Sequence, residues 1–203
     1  MDADFGIVGG GIAGVSAAAE LSALGSVLLW EGEAHLAHHA SGRSAALYEP
    51  RYGAAPVVEL SLASAAGLRA AGVLSPRGLM LLAGADDARV FAADAAAMRL
   101  ERIAVAEAVA RVPILNPAAV AFAAVADHAE DVDTDRLIQR FARAAKAAGA
   151  RIATGTAVTA IARDGGGWRV TAGGAEARVR LLVNAAGPWA DTVAALAGVT
   201  PLG

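Results

Sequence analysis

The amino-acid sequence predicts an α/β fold: a parallel sheet opened by a βαβ unit, interrupted by an α+β insertion and completed by a meander of strands. Three observations predict it. Asp4 to Val8 form a short apolar run that ends in three glycines, then come an Ala-rich helical stretch and a second apolar run closed by Glu31. The 203 residues are 56 % hydrophobic but only 4 % aromatic, so the core is built of small aliphatic side chains suited to close helix-on-sheet packing. The regular pattern lapses after the first fifty residues and returns near Asp133, which divides the chain into 1–53 plus 128–203 and an inserted segment, 54–127. That length holds one large domain or two small ones with a real core.

Each element has a local reason. Gly9 to Gly14 form a turn, Ile12 to Leu24 a buried helix closed by Gly25, and Ser26 to Trp30 the second strand. Strand, turn, helix and strand within about thirty residues imply a right-handed crossover between parallel strands. Gly32 to Gly53 are polar, small and irregular, as in a functional loop. In the insertion, Pro56 to Ala71 read as a helix with Leu60, Ala63, Leu68 and Ala71 buried. Arg77 to Ala83 read as a strand, Asp86 to Arg111 as mostly helical and Val120 to Val125 as a strand. Asp133 is a helix N-cap, with Leu137, Ile138, Phe141, Ala145 and Ala148 on one face and Gly149 as the stop. Arg151 to Thr154, Thr156 to Arg163, Trp168 to Ala172 and Ala175 to Ala185 read as strands joined by glycine turns. Pro188 opens a last helix, Trp189 to Ala197.

The formal charge of −3, without basic blocks, gives no general attraction for nucleic acid or anionic lipid. The absence of cysteine excludes disulfides, iron–sulfur clusters and thiolate zinc sites, and fits a cytoplasmic protein. The N-terminus lacks the basic start of a secretory signal. The longest apolar stretch, Ile103 to Ala126, is broken by Glu107, Arg111, Pro113 and Pro117, so no transmembrane segment is expected.

Gly9-Gly10-Gly11-Ile12-Ala13-Gly14 satisfies GxGxxG. Gly9 permits the tight turn, Gly11 lets the backbone approach a diphosphate, and Gly14 lets the helix sit against the strand. N–H groups at that helix start, with the positive end of its dipole, favour the anion. Glu31 lies 22 residues after Gly9, near the separation of roughly 20 at which an acid accepts the adenosine ribose hydroxyls. The bland alternative is a nucleotide-free glycine turn with a solvated Glu31. The unit reads as Rossmann-like and dinucleotide-binding; the motif alone does not separate FAD from NAD.

The loop His38-His39-Ala40-Ser41-Gly42-Arg43-Ser44-Ala45-Ala46 resembles the flavin loop of the D-amino acid oxidase/glycine oxidase/sarcosine oxidase superfamily. Its detail, ASGRSAALY…RYG, is most similar to the D-arginine dehydrogenase-like branch. A second matching block comprises DVDTD at 131–135, GARI, Thr156 to Ile161, GGWRV and LVNAAGPWAD at 182–191. The resemblance implies a Rossmann-like FAD-binding domain with the insertion as part of an α+β substrate domain. Gly9, Gly11, Ile12, Ala13, Gly14 and Glu31 would hold the ADP half, and Ser41, Arg43, Ser44, Ala45 and Ala46 would line the cofactor. Val158 would bracket the adenine with its backbone, while Ala186, Gly187 and Trp189 would form the turn that closes over it. The alternative for Arg43 is a surface salt bridge, worth little. The FAD is expected to be non-covalent: there is no cysteine to tether it, and His35, His38 and His39 read as solvated loop residues. No carboxylate or histidine is spaced to complete a metal site with them, so no metal is expected.

The same resemblance implies oxidation of a small amine or D-amino acid, with O₂ or a quinone as electron acceptor. Tyr52 would close over the substrate, its alternative being a packing role, and Ser44 would bond the diphosphate or the flavin ring. An NAD-linked dehydrogenase and a non-catalytic FAD-binding piece are the other readings. Two departures matter: Leu47 stands where the branch carries His, and Leu79 where it carries an acid. Both shift the expected substrate from basic to neutral or apolar. The family continues beyond GVTPLG, where it supplies the rest of the substrate sheet and the arginine for the substrate carboxylate. Alone, this chain is therefore expected to bind FAD weakly and turn over poorly.

Overall fold

The computed structural model describes residues 1–201. In chain order its elements begin with β1 (Ala3–Val8), α1 (Ile12–Leu21), β2 (Val27–Trp30), β3 (Leu47–Tyr48), α2 (Ala55–Ala71), β4 (Leu74–Pro76) and β5 (Leu79–Ala83). There follow α3 (Ala88–Ala97), β6 (Glu101–Ile103), α4 (Val105–Arg111), β7 (Phe122–Ala126), β8 (Glu130–Val132) and α5 (Thr134–Ala147). The chain then runs through β9 (Arg151–Ala153), β10 (Val158–Asp164), β11 (Gly167–Ala172), β12 (Ala175–Asn184) and α6 (Ala190–Leu196). Two compact units result, one of residues 1–44 and 134–201, the other of residues 45–133.

The first unit is a six-stranded sheet in the order β10-β11-β12-β1-β2-β9. β1 lies parallel to both β12 and β2, and β9 parallel to β2, while β10, β11 and β12 form the antiparallel meander. Alternation along the strands sorts their side chains onto two faces. Ile7 and Leu29 are fully buried on the face covered by Val15 and Ala18 of α1 and Ile138 and Ala145 of α5. Val8 and Trp30 point the other way, into a cluster with Ile161, Val170, Val179 and Val193. Each such aliphatic side chain contributes about 1.5–3 kcal/mol on burial. α5 keeps its amphipathic pattern, with Ile138, Ala142 and Ala145 buried and Leu137 and Phe141 half-buried, but Ala148, expected on that face, lies past its end and is exposed. α1 is shorter than the apolar pattern suggests. It stops at Leu21, beyond which Ala23 and Leu24 donate to carbonyls three residues back, those of Glu20 and Leu21.

The second unit holds two three-stranded sheets, β3-β8-β4 and β5-β7-β6. Its boundaries lie at 44/45 and 133/134 rather than near 53 and 128, because Leu47 and Tyr48 pair antiparallel with Asp131 and Glu130. Two sequence expectations are corrected here. α2 has no buried residue, and Leu60, expected inside, is 70 % exposed. The stretch 86–111 is mostly helical as expected, in α3 and α4, with β6 pairing to β7 between them. The strand expected at 77–83 starts only at Leu79, as β5; the separate strand β4 ends at Pro76, and Gly78 at φ +81° lies between them. Phe91 and Ala95 of α3 pack on Ala124 of β7, and the Phe91 and Phe122 rings stack at 5.4 Å.

Candidate functional site

The site grows out of the end of β1. Gly9 sits at φ +109°, and a Cβ there would strike the Ala185 carbonyl at the end of β12. Its N–H donates to the Trp30 carbonyl (2.8 Å), and the Ala185 N–H donates to the Val8 carbonyl (2.9 Å), so the turn is pinned from both sides. A Cβ on Gly14 would collide with the Gly9 carbonyl, which lets α1 start directly against the turn. Gly11 differs. It is the N-cap of α1, and a Cβ there would meet only Ser41 Oγ, at 3.2 Å. Gly9 and Gly14 are therefore demanded by the protein's own packing, and Gly11 leaves a bare backbone facing open space.

Beside this turn lies a cleft of about 330 Å³, within the range of small-molecule sites. One wall carries Gly9, Gly10, Gly11 and Glu31, a second Glu33, His38, His39 and Ser41, and a third Val158, Ala186, Gly187 and Trp189. Glu31 leaves β2 at its carboxyl end and accepts the Gly10 N–H through Oε2 (2.6 Å) and the Glu33 N–H through Oε1 (2.8 Å). These fix the carboxylate and leave further lone pairs on both oxygens. Ser41 turns its hydroxyl to the first N–H of α1, accepting from Ile12 at 3.0 Å. Ala37, a non-glycine at φ +58°, donates its N–H to the Gly10 carbonyl (3.0 Å) and holds the loop onto the turn.

Among the residues predicted from sequence, the structure thus gathers Gly9, Gly11, Glu31, Ser41, Val158, Ala186, Gly187 and Trp189 around one cleft. Ile12, Ala13 and Gly14 form the first turn of α1 beside it. Arg43 is not in the lining; it is exposed, and its Nε donates to the His38 carbonyl (3.1 Å). Ser44 closes the first unit, while Ala45, Ala46 and Tyr52 belong to the second. There the Ala46 carbonyl accepts the Val132 N–H (2.9 Å), and Tyr52 is 71 % exposed.

Sequence reasoning missed what the histidines do. Glu33 Oε1 lies 2.9 Å from His39 Nε2, and the His39 ring packs on Trp189 at 4.5 Å and on His38 at 4.8 Å. The loop after β2 therefore touches the turn before α6 across the cleft. The bond to His39 holds the Glu33 carboxyl below its ordinary range, with the positive charge of nearby histidines and Arg43 adding to this. Donor atoms of Glu33, His38 and His39 lie within 4.8 Å of one another, so Glu33 is the partner that spacing alone did not supply. Two residues past Glu31, Glu33 carries no motif; only the fold of the loop brings it to His39.

The chemistry of this cleft fits a dinucleotide. The first turn of α1 has no acidic residue to repel a diphosphate, and its bare glycine lets backbone donors approach one. A fixed carboxylate stands at the end of β2 for ribose hydroxyls. Residues 4–202 match the family model described as DAO, FAD dependent oxidoreductase. The chain belongs to that family, and its cofactor is FAD. Its fold is shared with glycine oxidase from Geobacillus kaustophilus, at 26 % identity and a TM-score of 0.82 over 97 % of this chain and 58 % of that one. The FAD-bound L-alpha-glycerophosphate oxidase from Mycoplasma pneumoniae gives 22 % and 0.82, covering 97 % and 57 %. The L-proline dehydrogenase from P. horikoshii gives 21 % and 0.82, covering 98 % and 56 %. The chain spans a little over half the length of each of these proteins. Among the described residues, no helix is long and apolar enough to cross a membrane.

Proposed function

We propose that this DAO-family chain serves a flavoenzyme that oxidises a small, neutral amine or D-amino acid. FAD, when bound, supplies the hydride acceptor; the imine product hydrolyses in water. The chain's own residues bind and orient. N–H groups at the start of α1 hold the diphosphate, with Gly11 giving close approach, and Glu31 accepts the ribose hydroxyls. Ser41 caps the first of those donors, and Val158, Ala186, Gly187 and Trp189 enclose the adenosine end. Arg43, Ser44, Ala45 and Ala46 carry the loop onward to the flavin, Ser44 offering its hydroxyl there, and Tyr52 covers the substrate. O₂ or a quinone takes the electrons, and the cytoplasm is the setting.

The observation that carries this reading is the cleft itself: bare Gly11 backbone, fixed Glu31 carboxylate and enclosing Trp189 turn around one space. Amine chemistry is supported by solved neighbours described as glycine oxidase, L-proline dehydrogenase and L-amino acid deaminase. The likeness to the D-arginine dehydrogenase-like branch belongs to this proposal, and Leu47 and Leu79 set the substrate apart from a basic one. Leu79 is a half-buried position on β5 whose side chain offers a cation nothing.

The test is a substrate panel on the natural whole protein, read by anaerobic bleaching of the flavin absorption. Bleaching by neutral D-amino acids, glycine or sarcosine, and not by D-arginine, is expected. Bleaching by NADH but by no amine would overturn the proposal.

A further inference from the structure

Glu49 is the only charged side chain among the described residues that is taken fully out of solvent, with 1 % of its side-chain surface exposed. A carboxylate removed from water is costly unless charge and hydrogen bonds compensate it. Glu49 follows Tyr48, whose hydroxyl donates to the Ser61 carbonyl on α2 (2.8 Å), so the chain is anchored on that side. Beyond it, Glu49 organises a tight turn. Its Oε1 accepts the Arg51 N–H (3.0 Å), and its carbonyl accepts the Tyr52 N–H (3.2 Å).

Its second oxygen, Oε2, makes no aligned hydrogen bond, yet lies 2.7 Å from His128 Nε2. The contact is an ion pair when His128 is protonated. His128 sits between β7 and β8 with 39 % of its side chain exposed, so it exchanges protons with solvent. Other charges act on the neighbouring Tyr48: Arg51 on the same turn, and Arg69 on α2 with Glu130 on β8. The last two are paired to each other at 3.2 Å, and Asp127 is the chain neighbour of His128. Of these, His128 is the group in contact with Oε2.

We propose that Glu49 and His128 form an ion pair that positions the turn carrying Tyr52, and that the charge on His128 sets how firmly this turn is held. The functional meaning rests on the reading of Tyr52 as the residue over the substrate; the structural claim does not. With His128 protonated, the buried carboxylate is compensated and its Oε1 is a strong acceptor for the Arg51 N–H. With His128 neutral, that compensation is lost, and the bonds that shape the turn weaken.

Amide hydrogen exchange of Arg51 and Tyr52 tests this on the chain itself, from about pH 5 to 8, the interval in which an imidazole changes charge. In the wild type, protection corrected for intrinsic rates should fall about fivefold to tenfold as pH rises, the size of one lost charge-assisted hydrogen bond. His128→Lys keeps a cation throughout and should hold protection across the range. His128→Asn should show low protection throughout, and Glu49→Gln low protection without pH dependence. Amides of β5 and β7 should be unaffected in all variants, which separates this from global unfolding. Protection that does not vary with pH in the wild type, or Lys and Asn variants that behave alike, would overturn the proposal. A failed role for Tyr52 shows separately, as unchanged substrate affinity in Tyr52→Ala of the whole protein.

Discussion

Gly10 donates its backbone N–H to Glu31 Oε2 over 2.6 Å, which ties the middle of the glycine turn to the acid at the end of the second strand. The same carboxylate accepts the Glu33 N–H through its other oxygen. The acid thus shapes the turn as well as facing the cleft.

Glu31→Gln separates those tasks from simple packing. Glutamine presents one acceptor oxygen where the carboxylate presents two, so either Gly10 or Glu33 loses its partner. The expected outcome is a folded protein less stable by about 1–2 kcal/mol, with FAD affinity down about tenfold or more. Titration of apoprotein with FAD, followed by flavin fluorescence, measures it. An unaltered affinity would refute the role of Glu31.

The glycines should fail in different ways. Gly9→Ala puts a Cβ against the Ala185 carbonyl at a left-handed φ, so stability should drop by about 3 kcal/mol or more. Gly11→Val meets only the Ser41 hydroxyl and should melt within about 1 kcal/mol of the wild type. It should nevertheless purify without flavin, because its side chain stands in the proposed diphosphate site. Thermal melts beside flavin-to-protein ratios decide this; a yellow Gly11→Val would remove the diphosphate from the start of α1.

The parts legible in the sequence are those with short-range physical causes. β1, the glycine turn, α1, β2 and Glu31 follow one another within the span of a βαβ unit, and α5 announces itself by its apolar stripe. The insertion is less legible because most of its elements are short and about half of its apolar residues are alanine. Periodicity in an Ala-rich run does not tell a buried stripe from an exposed one, hence the error over Leu60. β3 and β8 are too brief to show alternation and exist only because Leu47–Tyr48 finds Glu130–Asp131 some eighty residues away. The Glu33–His39–Trp189 contact joins two loops distant in sequence, and no local pattern encodes it.

That contact makes a prediction of its own. Trp189 is already 47 % exposed, and the His39 ring covers part of the rest. His39→Ala should redden the Trp189 emission and increase its quenching by acrylamide, best read with Trp168 replaced by Phe; the other tryptophan, Trp30, is buried. The Glu33 carboxyl, held low chiefly by His39, should return toward its ordinary range in the same variant. Identical emission in the two proteins would show that the rings do not meet in solution.

The last prediction concerns acid stability and the register of β1 against β2. Ser26 donates both its backbone N–H (2.9 Å) and its hydroxyl (2.8 Å) to Asp4 Oδ2, and Asp4 returns its N–H to Ser26 Oγ (2.9 Å). These bonds, above all the one from the Ser26 backbone, hold the Asp4 carboxyl below its ordinary value of 3.8; the Arg180 charge lowers it further. A carboxyl depressed in the folded state binds protons less readily than in the unfolded chain. It therefore adds stability that is fully present above its ordinary value and is lost as pH falls through the lower, folded value. Asp4→Asn should accordingly melt below the wild type at neutral pH, and the two curves should converge as pH falls below about 4. Melting temperatures taken from pH 7 down to the acid limit measure the gap. A gap that stays constant across that series would mean that Asp4 acts through shape alone, and that its charge does nothing to fasten the first two strands together.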